Sequence, residues 1–489
     1  MKTMRFTAAL LLAALAPTAV ATTGGAAQPV VSAEAVARIN FGDAPERVGV
    51  DWGSLWPGGD PGPGESIADF FVDGKGDIYI GDTVQGCVKK FRPPGTLLFH
   101  TEALTDIPHK FECVFDPYTG KMDNLQYFAV DSAGAIYATH GSSPLTLSKF
   151  DSAGTYVWSR APWDLLPESA TLELGLKQVS LDSLLHADAS GYVNRSTSVV
   201  FNSERRGQRG LQVDKQGNFV RLLPGYVTDP RGYPYRFTRE GQGPLPATLV
   251  FYDPAQPVTL TPLQEIPVRW DPAAPVKAHS LLTLSAHADR AVPAVFDPRP
   301  ALGPGAEIDV LGLDRILMRL DNSGRIVDSW RFPRLPFSVY SGGVIQGRDG
   351  HVYRLRFDPF GFDVVRYTHH PGPDGILHPK RFVELVTERE GEESLAALRQ
   401  LAIYISASAE WAAQTRHAVL TSEGGTYEFF PDSQVVRFDA GDRTRRVTMK
   451  VIREHLWVSL AGISQLLDLE VAGDAESSIL VLPPPPEGR

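Results

Sequence analysis

The chain has 489 residues, with 47 Lys and Arg against 57 Asp and Glu, a net charge of −10, and 43% hydrophobic residues beside 21% charged ones. Such a length predicts two to four domains of ordinary globular composition, and 45 glycines with 39 prolines in no collagen-like period favour many short strands joined by turns. The acidic balance argues against nucleic acid as a partner, because affinity for a phosphate backbone comes from clustered Lys and Arg.

Residues 1–21 read as a signal peptide. Lys2 and Arg5 supply a positive start, Phe6 to Ala16 an apolar stretch, and Ala19-Val20-Ala21 a small-residue cleavage site, placing the cut after Ala21. The apolar run is too short to span a bilayer, no cysteine follows the cut to carry a lipid, and no later apolar run approaches about 18 residues. The expectation is a secreted or periplasmic protein with no membrane span. Removal of the leader leaves 45 basic against 57 acidic residues, a net charge of −12. The chain has two cysteines, Cys87 and Cys113. In a reducing compartment they read as inert buried thiols. After export they read as one disulfide, whose loop closure contributes about 3 kcal/mol in the chain-entropy account.

From residue 66 a repeat emerges. Phe70-Phe71-Val72-Asp73-Gly74-Lys75-Gly76-Asp77-Ile78-Tyr79 matches Phe128-Ala129-Val130-Asp131-Ser132-Ala133-Gly134-Ala135-Ile136-Tyr137. Each is an apolar strand, an Asp-x-x-Gly turn and a second strand, with the Asp carboxylate capping the turn and Gly accepting positive φ. Further copies fall at Gly191 and Gly350, giving steps of 58, 57 and 159 residues, the last being three times 53. Two degenerate copies are therefore expected near positions 244 and 297, with Ala247 to Tyr252 and Leu281 to Phe296 as their strands. A second hairpin follows in each unit, at Asp151 to Gly154, Asp214 to Gly217 and Asp321 to Gly324, with Arg92 to Gly95 as a proline-bearing version. Four short strands per unit and six units make a six-bladed β-propeller over residues 66–375. Residues 22–65 form an N-terminal extension in which Val36 to Phe41 is the candidate ring-closing strand. The arginine clusters Arg205, Arg206, Arg209 and Arg443, Arg445, Arg446 are flanked by turn residues and read as solvated loops.

The segment Val72 to Asp82, continuing to Val88-Lys89-Lys90-Phe91, resembles an NHL-type propeller repeat. That family contains binding scaffolds and enzymes alike, so the resemblance implies a fold and no activity. Propeller ligands gather where one loop per blade converges. Six residues beyond each blade glycine stand Asp82, His140, Thr197 and Arg356, the candidate ligand-binding face. The competing reading is that ends of strands are polar in any case.

After His369-His370-Pro371-Gly372, read as an exposed turn, the period changes. Leu395, Leu398 and Leu401 and then Leu460, Ile463 and Leu466 recur at helical spacing, 65 residues apart. Ala409 to Trp411, His417 to Leu420, Tyr427 to Phe430, Val435 to Phe438, Val447 to Ile452, Leu469 to Val471 and Ile479 to Leu482 read as strands. Residues 381–482, with helices expected at Ser394 to Leu401 and Trp457 to Leu466, resemble the copper amine oxidase N-terminal-like (stalk) domain. The helix-leading proline of that family is absent, and Ala412 and Ala475 stand near its usual acidic residue. The resemblance implies neither copper nor oxidation, since the stalk domain holds no metal. The catalytic T-x-x-N-Y and H-x-H motifs are missing, so amine oxidase activity is not expected. Residues 483–489 are a Pro-rich tail.

No G-x-S-x-G, Walker loop, H-E-x-x-H or C-x-x-C is present. His186, His279 and His287 lie in apolar stretches and read as core or turn histidines. Asn194-Arg195-Ser196 is a glycosylation match without weight in a bacterial-type sequence. The expectation is a mainly β chain, a six-bladed β-propeller plus a small α+β C-terminal domain, acting as a non-enzymatic binding or surface-associated protein. No catalytic residue, metal site or cofactor is assigned. The partner is an unidentified ligand, protein or cell-envelope component. The alternative is a propeller-type lyase or hydrolase with a metal at the channel mouth.

Overall fold

A computed structural model describes residues 29–50, 67–101, 125–131, 133–140, 146–160, 176–187, 193–201, 205–223, 227–228, 234–239, 247–252, 262–270, 276–277, 281–282, 316–321, 325–332, 344–358, 360–438, 442–452, 455–473 and 478–484. The signal-peptide residues, Cys113, Gly191, Gly324, His279, His287 and the predicted copy near 297 lie outside these.

The chain begins with β1 (Val31–Asn40). Three antiparallel four-stranded sheets follow in strict chain order. The first is β2 (Ile67–Val72), β3 (Ile78–Asp82), β4 (Cys87–Arg92) and β5 (Thr96–His100). The second is β6 (Leu125–Val130), β7 (Ile136–His140), β8 (Thr146–Phe150) and β9 (Tyr156–Arg160). The third is β10 (Leu176–Ala187), β11 (Val193–Phe201), β12 (Arg205–Val213) and β13 (Phe219–Leu223). Arg205, Arg206 and Arg209 therefore sit in a strand and not in a loop.

The repeated Asp-x-x-Gly signature does what its chemistry dictates. At Asp73, Oδ1 accepts from the backbone N–H of Lys75 (2.9 Å) and Asp77 (3.0 Å), while Gly76 N–H closes on Asp73 O at 3.0 Å. Asp131, Asp151 and Asp214 reproduce the pattern, and Gly76, Gly134, Gly154 and Gly217 have φ between 80° and 87°. At Gly347–Gly350 the Asp has moved two places on. Asp349 Oδ1 accepts from His351 N–H at 3.1 Å, and a Cβ on Gly347 would meet it at 2.7 Å. Two sequence solutions thus build one turn.

Chain order then loosens. β14 (Val227–Thr228), β15 (Pro234–Arg239), β16 (Ala247–Tyr252) and β17 (Pro262–Trp270) form an antiparallel set, with β16 on the strand predicted there. β18 (Val276–Lys277) and β19 (Leu281–Leu282) are two-residue strands, followed by β20 (Ile316–Asp321) and β21 (Arg325–Arg331). β17 and β21 pair in parallel, so β14 to β17 and β19 to β21 belong to one ten-stranded sheet instead of two separate blades. A uniform six-blade count is therefore absent from the sheet topology among the described residues. The reason is local: besides its antiparallel neighbour β20, β21 pairs in parallel with β17 and with a strand of the C-terminal segment, where a blade would supply only antiparallel neighbours.

β22 (Val344–Gln346), β23 (Val352–Asp358) and β24 (Gly361–His369) form the last four-stranded sheet, and β1 is its fourth strand. β1 runs antiparallel along all of β24, Val31 opposite His369 and Asn40 opposite Gly361, so the expected Val36 to Phe41 strand is present and starts five residues earlier. First strands of successive sheets lie side by side, β22 by β2, β2 by β6 and β6 by β10. Arg348 ties three of these sheets, taking Val72 O with its N–H and Asp131 O and Val130 O with its guanidinium. Apolar layers fill the spaces between, including Phe70, Ile80, Phe91, Tyr353 and Phe362 on one side of the first sheet and Phe71, Tyr79, Val130 and Phe150 on the other.

After β25 (Ile376–Leu377), paired with β18, come β26 (Lys380–Leu385), β27 (Thr387–Glu390), β28 (Glu393–Ala397) and helix α1 (Leu398–Tyr404). A five-stranded meander of β29 (Ser408–Ala412), β30 (His417–Ser422), β31 (Gly425–Phe430), β32 (Val435–Phe438) and β33 (Arg443–Arg446) follows. β34 (Met449–Ile452), β35 (His455–Ser459), helix α2 (Leu460–Leu467), β36 (Glu470–Gly473) and β37 (Ser478–Leu482) complete the chain. β28 pairs antiparallel with β35, and each runs straight into a helix, α1 at Leu398 and α2 at Leu460. α2 starts at Leu460 as the spacing suggests, but α1 starts three residues later than its triplet: Leu395 is a buried strand residue opposite Ser459, so the internal repeat steps by 62 residues and not 65. Alternation and helical spacing coincide over short windows, and the strand wins because β35 offers its backbone a partner. Ser459 caps α2 by accepting from Gly462 N–H, whereas Ala397 gives α1 no such cap. The α+β core packs Leu398, Leu401, Leu420, Phe429, Val436, Val458, Ile463 and Leu480. β26 lies between β37 and β21, which joins this unit to the ten-stranded sheet. Arg443, Arg445 and Arg446, expected in a loop, form the exposed edge strand β33. No described helix is long and apolar enough to cross a membrane.

Candidate functional site

The four residues six places beyond the blade glycines occupy one register position. Asp82, His140, Thr197 and Arg356 are each the fifth residue of the second strand of their sheet, β3, β7, β11 and β23. Asp82 lies opposite Ile67 and Cys87, His140 opposite Leu125 and Thr146, Thr197 opposite Leu181 and Arg209, and Arg356 opposite Asp363. The repeat therefore sets them at equivalent heights.

Their surroundings are individual. Asp82 is fully buried and accepts from Gly49 N–H (2.9 Å) on Oδ2 and Gln85 N–H (2.9 Å) on Oδ1, with Lys89 Nζ 2.9 Å from Oδ2. Lys89, equally buried, also donates to Gln85 Oε1 at 2.8 Å and to Arg47 O. A charge removed from water is tolerable only when paired and hydrogen-bonded, and both conditions are met here. The outcome is a clamp holding residues 42–49 onto the β3–β4 turn, with Gln85 Nε2 donating to Gly42 O at 3.3 Å. His140 is also buried; its Nε2 shares a 2.7 Å hydrogen bond with Ser148 Oγ, which in turn lies 2.7 Å from Ser159 Oγ. Arg356 donates to Asp363 Oδ2 at 3.2 Å, and Arg38 of β1 grips Asp358 with both guanidinium nitrogens at 2.5 and 2.9 Å. The Arg38 hydrogen bonds hold the Asp358 carboxyl below the usual carboxylate range. Beyond these strand ends, at the β23–β24 tip, Phe360 is 77% exposed.

Two networks escaped the sequence reading. Asp328 on β21 is fully buried, with His369 Nδ1 2.5 Å from Oδ1 and Arg319 Nη1 3.5 Å from Oδ2. The His369 side chain is thus buried against Asp328 and not part of an exposed turn; His370, half-buried, shares a 2.9 Å hydrogen bond with Ser32 Oγ. Burial, then the neighbouring His369, lowers the His370 pKa. Arg354 on β23 pairs with Glu384 on β26, whose other oxygen accepts from Tyr367 OH at 3.0 Å. The signal was present in the alternation: Asp328 lies between Ile326 and Trp330, and Glu384 two places beyond Phe382, on inward-facing strand positions. A charge at such a position demands a partner, though the sequence does not say which.

Among the described residues no three His, Cys, Asp or Glu side chains gather as a metal-holding group. Cys87 is buried at the start of β4, where burial and then the Asp82 charge push its thiol pKa up to about 12. Its proposed partner Cys113 is outside the described residues.

No family model matches the chain, and no curated protein does. Solved structures similar to it include a luciferin-regenerating enzyme, 10% identical with a TM-score of 0.30, covering 64% of this chain and 93% of that one. Virginiamycin B lyase from Staphylococcus aureus is 8% identical with a TM-score of 0.22, covering 85% and 94%. The PQQ-bound aldose sugar dehydrogenase from Streptomyces coelicolor is 10% identical with a TM-score of 0.25, covering 76% and 93%. Likenesses at these scores carry no argument about fold or activity.

Proposed function

We propose that the chain is a secreted, non-enzymatic binding or surface-associated protein: a six-bladed NHL-like propeller whose loop face takes a ligand, protein or cell-envelope component, followed by a stalk-like domain that acts as spacer or docking module. The observation that carries this reading is the fate of the register-equivalent polar residues. Asp82, His140 and Arg356 hold their own sheets and the N-terminal segment together through hydrogen bonds and ion pairs. A side chain already engaged in hydrogen bonds and ion pairs that hold its sheet together is a poor acid, base or metal ligand. What the same end of β23–β24 presents outward is Phe360, an aromatic anchor of the kind that concentrates binding energy at interfaces.

The test is co-sedimentation of the full chain with purified cell-envelope fractions. Wild type is retained, and Phe360→Ala weakens retention by roughly 30-fold, the size of a hot-spot loss. Stoichiometric zinc, calcium or iron in the purified protein, or turnover of a substrate abolished by His140→Ala in a folded variant, would overturn the reading in favour of a lyase or hydrolase.

A further inference from the structure

The C-terminal unit exposes two sheet edges of opposite charge. β33 hydrogen-bonds to β32 alone among the described strands, and all four of its residues, Arg443, Thr444, Arg445 and Arg446, are exposed. β27 hydrogen-bonds to β28 alone among the described strands, with Glu388, Arg389 and Glu390 exposed, Glu392 in the turn beyond and Glu393 opening β28. The two edges belong to different sheets. An edge strand offers a row of backbone donors and acceptors to any extended partner, and side-chain charge decides which partner is admitted. Like charges placed opposite one another are destabilising, so two β33 strands repel each other, while β27 against β33 is attractive.

We infer that β27 of one copy adds antiparallel to β33 of a second copy, joining chains head to tail. The register is set by charge: placing Glu388 opposite Arg445 also places Glu390 opposite Arg443. Both pairs then share one face, because alternate residues of a strand point the same way. The other face brings Arg389 opposite Thr444 and Thr387 opposite Arg446, with no like-charged pair. Glu390 already reaches Lys450 Nζ at 2.7 Å across a half-exposed pair, which a second cation can share. The contact is heterologous, since each copy contributes a different edge, so it continues into a chain of copies instead of closing as a two-fold dimer. It is independent of whatever the loop face binds.

Sedimentation velocity on the full chain at low salt tests this. Wild type shows a weight-average mass that rises with protein concentration, and roughly 1 M salt suppresses the rise by screening exposed pairs. E388K/E390K and R443E/R445E each weaken self-association more than ~10-fold. Their equimolar mixture associates again as an alternating chain, because each edge of one variant is opposite in charge to the complementary edge of the other. The variant carrying all four changes associates again. Unchanged near-ultraviolet circular dichroism shows that each variant is folded. A wild type that stays monomeric at every concentration, or single-edge variants that associate as wild type does, overturns the inference, as does a mixture that remains monomeric.

Discussion

The hairpin sheets and the C-terminal unit solve the same packing problem by different means. Between β1 and β24 the sheets carry charges inside: Lys89 with Asp82, Arg319 with Asp328, and Arg354 reaching across to Glu384. The C-terminal core is aliphatic and aromatic throughout, and its own ion pairs, Lys450–Glu390 and Arg416–Asp432, lie at the surface. Short strands stacked side by side leave turn backbone and strand ends facing one another, and polar groups must close those gaps. A sheet with helices laid on it has no such gaps. The first arrangement gives each contact a specific partner; the second tolerates change of partner more readily.

The largest test breaks a buried pair. Arg354→Met leaves the Glu384 carboxylate buried beside Phe332 and Tyr367 and is expected to cost about 3–5 kcal/mol, while adding Glu384→Leu restores most of the loss. In the C-terminal core, Leu401→Ala is expected to cost a similar ~2–5 kcal/mol with no second substitution to rescue it. Hydrogen exchange read segment by segment at β23 and α1 separates the two. If the double variant is no better than Arg354→Met, the contrast between specific and interchangeable contacts fails.

A smaller effect concerns backbone approach. A Cβ on Gly361 would meet Ile39 O at 2.2 Å, so Gly361→Ala forces β1 off β24 and is expected to cost ~1–3 kcal/mol. Gly391 in the C-terminal unit has φ 64° and open space around it, so Gly391→Ala is expected to cost ~1–2 kcal/mol from conformation alone. Denaturant midpoints of the two variants rank them.

Acid should act on the first region before the second. The Asp358 carboxyl is held low by Arg38, so its contribution is complete above the ordinary carboxylate range and is lost as pH falls through that range to the lowered folded value. Unfolding midpoints measured downward from neutral pH are expected to hold steady and then drop, and Arg38→Met should shrink the drop. Smallest of all, Lys450→Ala removes a half-exposed pair and is expected to change stability by ~0.2–1 kcal/mol.

Local chemistry was legible in the sequence; distant partnership was not. The Asp-x-x-Gly turns and most strands of the meander follow from a few adjacent residues, and the closing strand follows from an apolar segment before the first repeat. The step from β17 through β21 to β26 depends on parallel pairings between residues far apart, which no alternation pattern encodes. The candidate face was legible as a register and illegible as chemistry: the spacing finds Asp82, but its neighbours Lys89 and Gly49 engage it through a fold the spacing does not contain. Leu395 was misplaced because three leucines at helical spacing also satisfy a strand that turns into a helix.

The clasp of β1 on β24 has a mechanical meaning. Val31 lies opposite His369, so the chain enters the pair and leaves it at the same end. Tension applied between residue 30 and residue 370 therefore opens the ladder like a zip, loading one rung at a time, where the reverse attachment would load all rungs in shear. A molecule tethered by its N-terminus and tugged at that point yields first at this seam, and the four-residue grip of Arg38, Asp358, Arg356 and Asp363 at the far end is the last to let go.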